Sequence, residues 1–287
     1  MMSARFLTVV LERAFNMRDG FGREIDYMRI SVIDSCNLNC YYCNPCDNNE
    51  HCHALNILSV KEVLCIVRAA TRLGIKHFRL TGGEPLLHPQ LDEMVLQIKK
   101  IPGVSSVSLT TNAVLLAQHA KWLKEAGIDS INVSLDTIDA SEYERITKKP
   151  LLEEVKHGIN AAIECGIRVK INVVLTPQTD VVALTRYVAK KGTDIRFIEM
   201  MPVGEGHTNG VEPYKKVIGT LSKLYGEPCR INTEKTKEIN SGNDKRKIPD
   251  NGPAEYYIFP ELGIRVGLIQ AIHGKFCATC NRIRVTA

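Results

Sequence analysis

Short runs rich in β-branched and aromatic residues recur along the chain between longer amphipathic stretches. MRISVID (28–34), HFRLTGG (77–83), SVSLTTN (106–112), SINVSLD (130–136), VKINVVL (169–175) and DIRFIEMMP (194–202) read as strands. Between them lie helical segments. SVKEVLCIVRAATRLG (59–74) carries Ser59 as N-cap, Glu62 at the third helical position and Gly74 as a stop. LLAQHAKWLKEAG (115–127) and LEEVKHGINAAIECG (152–166) are further examples. Strand and helix in alternation argue for parallel strands with helical crossovers, and six such units are visible.

After Gly204 the pattern changes. VEPYKKVIGTLSKLYG (211–226) reads as one more helix, and 231–253 is a polar, turn-rich loop or linker. YYIFP, ELG and IRVGLIQAI then form a hairpin around Glu261, Leu262 and Gly263 that leads into FCATCNRIRVTA. No low-complexity tract or self-similar repeat is present in the sequence.

Composition narrows the setting. With 287 residues and 44% hydrophobic positions the chain can build a sizeable core in one large or two ordinary domains. Glu12 and Arg13 break the apolar run near the start, so no secretory leader is expected. No apolar run reaches the roughly 18–20 residues of a membrane span, and no membrane partner is expected. The expected compartment is a reducing cytoplasm, where clustered Cys mean metal more often than disulfides. A formal charge of +5 without a long basic run excludes a nucleic-acid-tracking surface and leaves a phosphate-bearing small ligand or an ordinary solvated surface.

Four of the ten Cys fall within CNLNCYYCNPC, residues 36–46. Cys36, Cys40 and Cys43 follow the first strand with the spacing C-x3-C-x2-C. A closed zinc site wants four ligands, whereas three thiolates can hold three irons of a cubane and leave the fourth open. Cys46, or the nearby His51, Cys52 and His53, can complete a zinc site instead, and spacing alone leaves iron–sulfur, zinc and inert thiols all standing. Cys65 and Cys165 sit in helical periodicity among apolar neighbours and are expected in the core, while Cys229 has no pattern around it.

CNLNCYYC followed one βα unit later by TGGEP (81–85) resembles the radical S-adenosylmethionine superfamily, in which three Cys hold a 4Fe-4S cluster and the cofactor binds the fourth iron. The side-chain-free Gly82-Gly83 is expected to let backbone approach the methionine moiety. RISV (29–32), RLTGGEP (79–85), TTN (110–112), NVSLD (132–136), RFIE (196–199), MPVG (201–204), NGPA (251–254) and FCATCNRIR (276–284) narrow the resemblance to the GTP 3',8-cyclase family of molybdenum cofactor biosynthesis. It runs from about Phe21 to the last residue.

The resemblance implies a partial, six-stranded parallel (β/α) barrel over 21–205, its open side covered by a C-terminal auxiliary-cluster segment over 206–287. It implies reductive cleavage of S-adenosylmethionine to a 5'-deoxyadenosyl radical, hydrogen removal from C3' of GTP, and closure onto C8 to give 3',8-cyclo-7,8-dihydro-GTP. Cys36, Cys40 and Cys43 match the ligands of the first cluster, and Cys277 and Cys280 match two ligands of a second 4Fe-4S cluster. Tyr42, Gly83, Ser134 and Met201 match positions around S-adenosylmethionine; Arg29, Arg79, Thr110, Lys170, Arg282 and Arg284 match positions around GTP. Four Arg and a Lys suit a triphosphate, because guanidinium forks bind phosphate oxygens bidentately. Such residues taken singly are surface charges, Met201 core filler, and Ser134 or Thr110 ordinary strand residues. An electron donor, the downstream cyclic pyranopterin monophosphate synthase and a second copy of the chain are the partners this reading brings.

The chain departs from the family where Asn44 replaces Met after the third Cys and Ala113 replaces Gly after TTN, a change expected to strain a turn. The sequence stops seven residues after Cys280, before the position of the family's third auxiliary ligand, so a C-terminally truncated chain holding its second cluster poorly is expected. A radical S-adenosylmethionine peptide or protein modifier and a non-catalytic iron–sulfur or nucleotide-binding protein are the alternatives. Arg282-Ile283-Arg284 and the lack of a longer C-terminal Cys run speak against the modifier.

Overall fold

A computed structural model describes residues 17–43, 56–201, 212–231, 254–274 and 280–286. All six expected βα strands form: β1 (Tyr27–Ser31), β2 (His77–Thr81), β3 (Ser106–Thr111), β4 (Ser130–Ser134), β5 (Arg168–Leu175) and β6 (Asp194–Glu199). Each pairs in parallel with the next. The crossovers carry α1 (Val60–Arg72), α2 (Leu91–Lys99), α3 (Leu116–Glu125), α4 (Ala140–Thr147), α5 (Leu152–Glu164) and α6 (Val181–Lys190). At the start of α1 the Ser59 hydroxyl accepts from the Glu62 amide at 3.3 Å while Glu62 Oε2 accepts from the Ser59 amide at 2.8 Å, the reciprocal cap its sequence announces.

The C-terminal part continues this sheet at both of its edges. A π-turn at Tyr214–Ile218 runs into α7 (Gly219–Tyr225), and β7 (Cys229–Ile231), β8 (Glu255–Ile258) and β9 (Arg265–Ile269) follow. β8 and β9 form the expected antiparallel hairpin, and β9 pairs in parallel with β6. The last strand, β10 (Arg282–Val285), returns to the opposite edge and pairs in parallel with β1. The order is β10-β1-β2-β3-β4-β5-β6-β9-β8-β7. Most of the 231–253 loop lies outside the described residues.

Alternation along the strands separates two environments. Met28, Ile30, Phe78, Leu80, Val107, Leu109, Ile131, Val133, Val169, Ile171, Val173, Ile195 and Phe197 face the helices and belong to one continuous apolar core. Most of the intervening positions face inward and are polar, among them Arg29, Arg79, Ser108, Thr110, Asn132, Ser134, Lys170, Asn172 and Arg196. The sheet must curl for these to meet. In a flat sheet β1 and β6 would lie about 24 Å apart, yet the like charge of Arg196 on β6 is felt at Arg29 on β1, where it adds to the burial that lowers the guanidinium pKa. The six strands therefore form a partial barrel with a polar interior.

Cys165 packs against the core as expected, but Cys65 is exposed, because its turn of α1 faces away from the sheet. Among the described residues no helix is long and apolar enough to cross a membrane. Phe197 is fully buried, so Phe197→Ala is expected to cost about 3–5 kcal/mol in urea unfolding, whereas Thr110→Ala on the inner face should cost under about 1 kcal/mol.

Candidate active site

The Cys loop leaves β1 at the end of the barrel where the parallel strands finish. Two backbone bonds pin it to the last turn of α4, from the Asn39 amide to Thr147 O at 3.0 Å and from the Tyr41 amide to Ile146 O at 3.1 Å. The Gly83 amide donates to Ile33 O and the Glu84 amide to Ser35 O, both at 2.7 Å. A Cβ on Gly82 would stand 2.2 Å from Ile33 O, and one on Gly83 2.2 Å from Ser35 O. The paired glycines thus let the loop after β2 lie directly against the backbone entering Cys36.

Glu84 locks this contact. Its side chain is fully buried and accepts from the Leu86 amide at 3.0 Å, the Thr111 hydroxyl at 2.7 Å and the Asn112 amide at 2.6 Å. Burial raises its pKa, and these donors work against that shift. Asn112 carries the chain of bonds onward, with Nδ2 donating to Asn37 Oδ1 at 2.7 Å and facing Cys36 Sγ at 3.8 Å. The residue that follows, Ala113, has φ 66°. An alanine there costs about 1 kcal/mol against glycine, and burying its methyl returns a similar amount, so the departure is tolerated.

Across the loop, the Tyr42 hydroxyl donates to Asp136 Oδ2, and Asp136 Oδ1 accepts from the Val174 amide at 2.7 Å. Burial lifts Asp136 to about 6 despite these two donors. Burial and then Asp136 push the Tyr42 hydroxyl well above its ordinary value, so it stays a donor. Asp136 lies two residues beyond Ser134, which is exposed at the end of β4. Met201, two residues beyond β6, is 45% exposed.

Cys36, Cys40 and Cys43 are free thiols on the same loop as Tyr42, Cys36 and Cys43 exposed and Cys40 half-buried. Burial raises all three thiols, and Cys40 reaches about 12 with Cys43, Asp136 and Cys36 adding to the effect. Three soft thiolate donors on one short loop have the chemistry to hold an iron–sulfur centre.

Deeper in the barrel the inward layer is cationic. Register places Arg79 beside Arg29 and Arg284 on its other side. Burial, followed by the like charges of Arg284, Arg282 and Arg196, pulls Arg29 below the usual guanidinium value. Arg79 donates to Ser108 Oγ at 3.0 Å and lies 5.4 Å from the Tyr27 ring centre. Lys170 is 5% exposed and sits 5.8 Å from the Tyr256 ring centre. Gly267 leaves room for this crowding, since a Cβ there would meet Arg196 Cγ at 2.7 Å. Thr110 lies two strands from Lys170 in the same layer, with Asn132 between them.

The strand ends do not hold every expected site residue. Cys280 precedes β10 at the opposite end of the barrel from the Cys loop, where Asn281 Nδ2 binds Asp26 Oδ1 at 2.6 Å. Burial would raise the Cys280 thiol, but Arg282, donating from Nε at 3.3 Å, and Arg23 bring it below its ordinary value. Cys277, with Asn44, Cys46, His51, Cys52 and His53, lies outside the described residues. Glu84, Asn112, Asp136 and Arg196 had no assigned role in the sequence; alternation of polar residues along β4 and β6 was the available signal for the inward pair Asn132 and Arg196.

Comparison with known proteins decides the family. The profile of the Radical SAM superfamily matches residues 30–184, and that of Molybdenum Cofactor Synthesis C matches residues 193–287. A GTP 3',8-cyclase of Clostridium perfringens is 37% identical over 273 residues, covering 94% of this chain and 80% of that protein. One from Pelotomaculum thermopropionicum is 37% identical over 278 residues, covering 94% and 81%. The chain belongs to the GTP 3',8-cyclase family. As a radical S-adenosylmethionine enzyme of that family, it carries on Cys36, Cys40 and Cys43 the spacing on which that superfamily's cluster is built. Streptococcus suis SuiB bound to S-adenosylmethionine shares the fold, with TM-score 0.57 and 18% identity over 69% of this chain and 47% of SuiB.

In this GTP 3',8-cyclase family member, Gly83→Ala drives a methyl into Ser35 O and must displace the Cys loop. It is expected to cost about 1–3 kcal/mol in thermal unfolding and to lower severalfold the iron retained on anaerobic reconstitution. Gly103→Ala, at a loop remote from the Cys, serves as the control whose iron content stays at the parent level.

Proposed function

We propose that this chain is a GTP 3',8-cyclase converting GTP to 3',8-cyclo-7,8-dihydro-GTP, the first step of molybdenum cofactor biosynthesis. The observation that carries this reading is the inward cationic layer of Arg29, Arg79, Lys170 and Arg196, the last two buried, between the Cys loop at one end of the barrel and Cys280 at the other. A triphosphate answers such a layer, because each guanidinium can pair two phosphate oxygens and the ligand offsets their mutual repulsion.

Cys36, Cys40 and Cys43 hold the first 4Fe-4S cluster, and Tyr42, Gly83, Ser134 and Met201 surround S-adenosylmethionine beside it. Gly83 approaches with bare backbone, and Asp136 keeps the Tyr42 hydroxyl oriented. Arg29, Arg79, Thr110, Lys170, Arg282 and Arg284 hold GTP, the inward face excluding bulk water around it. Cys277 and Cys280 contribute to a second 4Fe-4S cluster at the far end. When bound, the first cluster and its cofactor would supply a 5'-deoxyadenosyl radical able to take hydrogen from C3' of GTP, and one further electron from the donor with a proton would be needed to quench the radical left once C3' bonds to C8.

Residues 21–205 form the catalytic unit and 206–287 the auxiliary-cluster unit, in a cytoplasmic setting with an electron donor upstream and cyclic pyranopterin monophosphate synthase downstream. The test is anaerobic reconstitution followed by dithionite, S-adenosylmethionine and GTP. Formation of 5'-deoxyadenosine together with a cyclised nucleotide is expected; 5'-deoxyadenosine without consumption of GTP would overturn the assignment of substrate.

A further inference from the structure

Asn132 is the inward residue of β4 that lies between the two neighbouring strands' Thr110 and Lys170. It is 1% exposed, and its Oδ1 accepts from Arg196 Nη2 at 2.7 Å. That bond fixes the orientation of the amide, since an Nδ2 in the same place would set donor against donor. The remaining lobe, Nδ2, is buried without a hydrogen-bond partner. A buried amide donor left unmade costs free energy, so a native structure that keeps one has a partner arriving from elsewhere.

Its surroundings define that partner. Lys170 and Arg196, each 5% exposed, flank Asn132 on the β5 and β6 side, and the charge of Arg196 reaches Arg29 across the barrel. Ser134 lies two residues further along β4, nearer the rim that carries the Cys loop. Asn132 is therefore one inward step deeper than Ser134, at the level of the cations. We propose that Asn132 is a substrate-binding residue of this site, its Nδ2 donating to a phosphate oxygen of the bound nucleotide while its Oδ1 holds Arg196 facing the same group.

The inference rests on the GTP reading above and adds to it a neutral donor among the cations. A carboxylate in this place would still accept from Arg196 but would turn a second acceptor toward phosphate. Asn132→Asp thus separates the two functions of the amide: the bond to Arg196 survives and the donor is replaced by like charge.

Equilibrium dialysis of anaerobically reconstituted protein against GTP, and separately against S-adenosylmethionine, is the experiment. Asn132→Asp should weaken GTP by about tenfold or more while leaving S-adenosylmethionine within about twofold of the parent. Asn132→Ser, whose shorter side chain reaches neither partner, should do the same and stands in if the Asp variant does not fold. Parental GTP affinity in a folded variant would overturn the proposal, the donor then serving only a buried water; so would an equal loss for both ligands, which marks a structural residue. Failure of the parent itself to bind GTP would instead overturn the GTP reading on which the proposal stands.

Discussion

A buried carboxylate holds the working end of this barrel together. Ionised Glu84 would be expensive in an apolar interior, but three donors from Leu86, Thr111 and Asn112 surround its two oxygens. Those donors come from the loop after β2 and the end of β3, while the Glu84 amide binds Ser35 next to Cys36. One side chain therefore ties together two strand ends and the entrance of the Cys loop. Asn112 extends the tie to Asn37 and toward Cys36 Sγ. The glycines before Glu84 matter because any Cβ there would hold these backbones apart.

Below this end, a two-faced strand pattern divides labour between stability and binding. The helix-facing positions supply a continuous apolar core, and the inward positions collect Arg29, Arg79, Lys170 and Arg196. Such a cluster is a poor way to stabilise a fold, since burial and mutual repulsion both work against charged Arg29. It is a good way to receive a polyanion, which replaces repulsion by paired bonds without rearranging the wall. β10 brings Arg282 and Arg284 close to Arg29 only because it returns to pair with β1. The C-terminal segment is thus part of the wall.

Much of this was legible in the chain. The six strands, the Ser59–Glu62 cap and the β8–β9 hairpin followed from periodicity and turn residues, because their determinants are local. The pairing of β10 with β1 was not, as it joins residues more than two hundred positions apart and no local signal specifies that edge. Cys65 was misplaced because an apolar neighbourhood in sequence does not say which side of α1 faces the sheet. Glu84 stands in the TGGEP motif with no role read for it, and only its three donors reveal a buried tie. Asn132 and Arg196 stood in plain alternation on their strands, but a period of two gives the face and not what the face encloses.

The central claim is that the Glu84-braced loop presents three thiolates and leaves one iron free for the sulfonium cofactor. Electron paramagnetic resonance of the reduced cluster, recorded with and without S-adenosylmethionine in a Cys277→Ser/Cys280→Ser chain, tests it most directly. The account predicts a cluster signal that changes when the cofactor is added. A signal indifferent to the cofactor, or zinc in place of iron at the three thiols, would contradict it.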